Sequence, residues 1–148
     1  MRLAAIAIVV AFFALVMGLD AAVAKPTVSS VRMGVHPDKT RFVLEMDSEP
    51  AYRIFTLPDP YRVVIDLPEL NWTPPKEASG EGVGIVEAMR FGLFAPGTSR
   101  VVLDVRKPVT VRDAFVLPPK GGYPHRLVVD LTGVDRATFM ASRARQPI

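Results

Sequence analysis

The chain has two histidines, His36 and His125, and no cysteine. Both histidines stand next to or near prolines in turn-forming stretches, and no H-E-x-x-H run or other His/Glu cluster surrounds them. Catalytic zinc needs three protein ligands and an open position, so the pair reads as solvated turn residues and no metal site is assigned. The lack of cysteine excludes thiol catalysis, thiolate metal ligation, disulfides and lipidation through a thiol. No G-x-S-x-G elbow is present. Gly80-Glu-Gly-Val-Gly84 has neither the spacing nor the strand-to-helix setting of a nucleotide loop. The sequence therefore assigns no catalytic residue and no cofactor.

The arginines carry more information. Arg32, Arg41, Arg62, Arg90, Arg100 and Arg126 recur at equivalent places in two halves of the chain. Four of them open the same stretch, an arginine followed by three apolar residues, an acid and one more apolar residue. The copies run 41–46, 62–67, 100–105 and 126–131. Within one extended strand such an arginine and its acid share a face but stand roughly 13 Å apart, too far to pair. Pairing across neighbouring strands satisfies both and fixes register. Arg32 and Arg90 have no acid four residues on, which leaves a second use open. A guanidinium fork matches a carboxylate bidentately. The candidate ligand-binding set is Arg32, Arg90, Arg53 and Arg112, with Tyr52 and Tyr61, alongside Tyr123, offering rings to sugar faces.

The elements that hold these residues read as strands. Alternation puts Phe42, Leu44 and Met46 on one face, then Val63, Ile65 and Leu67, Val101, Leu103 and Val105, and Leu127, Val129 and Leu131. The opposite face carries arginine, a central valine and the acid, the pattern of a half-buried strand. Further strands are expected over 28–35, 51–57, 85–93 and 109–117. The repeat spacing drifts in one direction, from 58 residues between Arg32 and Arg90 to 64 between Asp66 and Asp130. Duplication followed by growth of the turns gives that drift. The expected fold is all-β, a sandwich of two related four-stranded sheets from an internal duplication, with halves at about 27–68 and 85–131.

The flanks differ. Leu3 to Leu19 is unbroken apolar sequence after Met1-Arg2, and Ala22-Val23-Ala24 is a small-x-small site, so residues 1–24 read as a secretory signal peptide. The alternative is an uncleaved membrane anchor; after cleavage no membrane contact is expected. Residues 25–134 are expected to form the sandwich. Residues 69–84, with Trp72, Pro74-Pro75 and three glycines, connect the halves. Trp72 is either a core plug or an exposed platform. Residues 135–148 read as a tail or the start of a linker, with Asp135 able to cap a short helix to about Arg145. The formal charge is +3, with basic residues interleaved with acids rather than clustered, which argues against nucleic acid.

Val31-Arg-Met-Gly34, Thr40-Arg-Phe-Val-Leu-Glu45 and above all Phe55-Thr-Leu-Pro-Asp-Pro-Tyr-Arg-Val-Val-Ile-Asp-Leu-Pro68 resemble the AMIN domain over about 27–131. The resemblance implies a non-catalytic periplasmic module that binds peptidoglycan and places an N-acetylmuramoyl-L-alanine amidase at the division septum. AMIN domains also occur in secretin-type pilus proteins, so docking to a secretin or divisome protein is the alternative. The zinc domain that follows the module in such amidases is not in this sequence. The chain is therefore expected to be a standalone or shortened AMIN protein, or the N-terminal piece of an amidase, and not an enzyme by itself.

Overall fold

A computed structural model describes residues 24–75 and 82–143. The expected signal segment lies outside the described residues except for Ala24. The strands are β1 (Thr27–His36), β2 (Lys39–Met46), β3 (Arg53–Leu57), β4 (Arg62–Pro68), β5 (Asn71–Trp72), β6 (Val86–Ala95), β7 (Thr98–Val105), β8 (Val109–Leu117) and β9 (His125–Gly133). They form a five-stranded sheet ordered β5-β1-β2-β9-β8 and a four-stranded sheet ordered β3-β4-β7-β6. The chain is all-β, as its periodicity predicts, with one short helix among the described residues, α1 (Arg136–Arg143).

Neither half makes a sheet alone. Each sheet takes one hairpin from each half, and the duplication maps β1-β2-β9-β8 onto β6-β7-β4-β3. Sheet-to-sheet symmetry therefore coincides with the sequence repeat. Even the irregularities repeat: the β1–β2 register slips between Val28 and Ser30, and the β6–β7 register between Val86 and Ala88. Exchange of hairpins puts the two arginine-led strands of each sheet, β2 with β9 and β4 with β7, side by side at its centre. Their twelve alternating apolar residues fill the space between the sheets and are buried throughout. Fully burying one such side chain contributes about 1.5–3 kcal/mol, so this double row is the main source of cohesion.

The open sides of the sandwich are closed differently. Between β1 and β6, the connecting segment adds β5 in parallel to β1, the strand that makes one sheet five-stranded. Trp72 stacks on Phe91 with ring centroids 4.0 Å apart and packs against the core. Between β3 and β8, α1 inserts Phe139, fully buried and edge-on to Tyr61. The Asp135 carboxylate caps this helix by accepting the Thr138 N–H at 2.8 Å. The packed fold thus runs past residue 134, because an apolar side chain in the expected tail has a gap to fill; residues 144–148 lie outside the described residues.

Candidate functional site

Both outer faces carry the same row of side chains, built by register. On one, Arg32, Val43, Val128 and Phe115 follow across β1, β2, β9 and β8. On the other, Arg90, Val102, Val64 and Phe55 follow across β6, β7, β4 and β3. The expected cross-strand ion pairs flank these rows. Arg41 grips Asp130 through Nε at 2.7 Å and Nη2 at 2.8 Å. Arg100 grips Asp66 at 2.6 and 2.9 Å. In both cases the arginine lies directly opposite the acid on the neighbouring strand, so the acid partner comes from the other half of the chain.

Arg32 and Arg90 also meet acids. Arg32 Nη2 bonds Glu45 Oε1, and Arg90 grips Asp104 with Nε at 3.0 Å and Nη2 at 2.8 Å. Each arginine side chain remains half exposed or more, 50% for Arg32 and 61% for Arg90, and such surface pairs exchange partners at little cost. The two arginines face opposite ways, one on each sheet, so no single small ligand spans both. Arg62 and Arg126 stand opposite Asp104 and Glu45 in register. Arg62 Nε instead donates to the Pro60 carbonyl at 3.1 Å. Arg126 lies over the Tyr123 ring at 4.9 Å, and its buried Nε has no acceptor.

The remaining candidates are dispersed. Tyr52 Oη donates to the Ala114 carbonyl at 3.2 Å, tying the β3 side to β8. Arg53 lies over Phe55 at 5.2 Å, and Tyr52 and Arg53 share a shallow cleft with Asp66, Gly97 and Thr98. Tyr61 Oη accepts from Arg136 Nη1 at 2.7 Å and belongs to the helix seat. Arg112 pairs with Asp38, and this bond holds the Asp38 carboxyl below its ordinary value. Tyr123, expected to offer a ring, and Phe94, which sequence reasoning left aside, belong to the faces. Tyr123 sits on Arg126 and, at 5.7 Å, beneath Arg32. Phe94 lies 3.4 Å from Arg100. Phe94 had no sequence signal.

Two cations act on Asp130. The Arg41 bond and, after it, Lys39 at 3.0 Å outweigh burial and lower its carboxyl to about 2. Among the described residues no group of three or more His, Asp or Glu side chains is placed to hold a metal ion, and no helix is long and apolar enough to cross a membrane.

A two-sheet β-sandwich repeating one arginine-led pattern on both outer faces is a duplicated β module. The AMIN domain family matches residues 37–131, and the chain belongs to that family. It is 34% identical over 110 residues, 72% of its length, to the N-acetylmuramoyl-L-alanine amidase AmiC of Neisseria meningitidis serogroup B. Over 108 residues, 70% of its length, it is 30% identical to the protein of the same name in Escherichia coli O6:H1. Each match covers 26% of the relative, so the chain spans about a quarter of the length of these curated relatives.

Proposed function

We propose that this chain is a non-catalytic periplasmic module that binds peptidoglycan and localises an N-acetylmuramoyl-L-alanine amidase to the division septum. Residues 1–24 act as its export signal and residues 25–134, with α1 packed against them, as the wall-binding sandwich. The observation that carries this reading is the AMIN match together with relatives that are amidases by name. The physical support is the pair of equivalent outer faces. Each presents an exchangeable arginine, Arg32 or Arg90, beside aromatic and aliphatic side chains, a setting for anionic peptides and sugar rings. Two weak sites on opposite faces gain avidity on a polymeric wall through effective concentration, without new contacts.

Co-sedimentation with purified sacculi at low salt tests the reading. The chain pellets with the wall if it is right; a chain that stays in the supernatant rejects it. One observation favours docking to a secretin or divisome protein as a second reading. Leu93 and Phe94, near the β6–β7 turn, are 62% and 58% exposed, and neighbouring apolar side chains in water often mark protein contacts. Capture of such a partner without sacculi, lost in Leu93→Ser, supports that reading.

A further inference from the structure

The two ends of the duplication are finished differently. Continuing the Asp66-to-Asp130 equivalence three residues along places Glu69 opposite Gly133. At the first end Glu69 is occupied: its carboxylate accepts the Gly97 N–H at 3.1 Å and pairs with Lys25. At the second end Gly133 has no side chain. A Cβ there would stand 2.6 Å from Lys107 Cε and 3.0 Å from Nζ, so an ammonium lies over the bare glycine where the other half carries a carboxylate.

This second end is open. The β1–β2 turn, the end of β9, the β7–β8 turn and Gly84–Ile85 line an open cavity of about 580 Å³, within the size range of small-ligand sites. Its apolar floor is buried Leu131 and half-buried Ile85, and exposed Val35, His36, Arg106 and Lys107 stand at its rim. The acid at the rim, Asp38, is engaged by Arg112, and Lys39 is engaged by Asp130. Arg106 donates to the Gly84 carbonyl at 3.3 Å and reaches Glu87 only at 3.9 Å. Among the described residues Lys107 and His36 make no ion pair and no side-chain hydrogen bond. Gly84 is required for the shape: its φ is +62° and a Cβ would meet Thr40 Oγ1 at 2.6 Å.

We propose that this cavity binds a free carboxylate at a peptide chain end, with Lys107 and Arg106 holding the anion and the apolar floor taking the small side chain beside it. Glu69 is the internal version of that ligand, built into the half that needs none. The ligand class rests on the wall-binding reading above, in which stem peptides supply the carboxylate; the cationic cavity itself does not.

The test is an amide-shift titration of the ¹⁵N-labelled chain with N-acetyl-D-alanyl-D-alanine, its C-terminal amide and chitotriose. The acid should move the amides of Gly84, Ile85, Lys107 and Gly133. Loss of one charge-assisted contact in the amide derivative should weaken binding by about tenfold or more. Lys107→Glu and Gly133→Glu, the second supplying its own carboxylate, should each abolish the response, while Lys107→Arg keeps it. Should Gly133→Glu fail to fold, the exposed Lys107 substitution still decides. Equal response to acid and amide, or cavity shifts with chitotriose alone, overturns the proposal. Sedimentation separates the two readings. A chain that pellets with sacculi but ignores the acid loses only the cavity; one that binds the acid but not sacculi keeps the carboxylate site and loses the wall.

Discussion

Arg41 with Asp130 and Arg100 with Asp66 are one contact made twice, yet their surroundings have opposite character. Asp130 is 3% exposed and holds two cations, Arg41 and Lys39, while a second acid, Asp113, stands opposite it on β8. Asp66 is 17% exposed, and the residue opposite it on β3 is Arg53. Arg100 also lies near the Phe94 and Phe55 rings, whereas among the described residues the one ring near Arg41 is Phe115, at 5.9 Å. One cluster is an ionic network of two cations and two acids around a buried carboxylate; the other is a cationic, aromatic group with one acid. The same strand frame thus supports register on one face and leaves the other richer in groups that can meet a ligand.

The sharpest break in this comparison is removal of the acids. Asp130→Asn should cost about 3 kcal/mol, because it leaves two cations around a buried, uncharged amide. Asp66→Asn should cost about 1–2 kcal/mol, since water and the aromatic faces still serve Arg100. Urea unfolding of both variants measures the difference, and equal losses would dissolve the distinction. Acid titration sharpens it. The Asp130 carboxyl is lowered from 3.8 to about 2, so its contribution is complete above the unfolded value and is lost as pH falls through the folded one. That contribution is on the order of 2 kcal/mol, and Asp130→Asn should lack this part of the acid-unfolding slope.

A smaller effect compares the buried hydroxyls that receive the two ends of the connecting segment. Ser99 Oγ accepts the Leu70 N–H at 3.0 Å, and Thr40 Oγ1 accepts the Ile85 N–H at 3.2 Å. Ser99→Ala strands a buried donor and should cost about 1–2 kcal/mol, and Thr40→Val, at a half-buried donor, about 1 kcal/mol. Thermal melts rank the two. The smallest stability change belongs to Arg32→Ala and Arg90→Ala, each below about 1 kcal/mol. Those variants should instead weaken sacculus binding, the double variant more than either alone; unchanged sedimentation would remove both arginines from the site.

The core was legible because β periodicity records burial residue by residue. Every apolar position assigned inward on the four arginine-led strands is buried, and the repeat spacing located the turns. Strand β5 was not legible: two residues are too short for a period, and Asn71–Trp72 pairs only because β1 offers an open edge. Nor was the loading of Arg32 and Arg90, whose acids lie 13 and 14 residues away on the adjacent strand rather than four along their own.

Taken alone, the sequence determined which side of each strand faces inward, that the chain is built from two copies, and which family it belongs to, since alternation and repetition are properties of order along a chain. Tertiary structure decided how the copies interleave, which acid each arginine meets and where a cavity remains. Those outcomes depend on strand neighbours up to 91 residues apart, as Thr40 and Leu131 are, and on what each end of the sandwich has left to fill, and neither is written in local spacing.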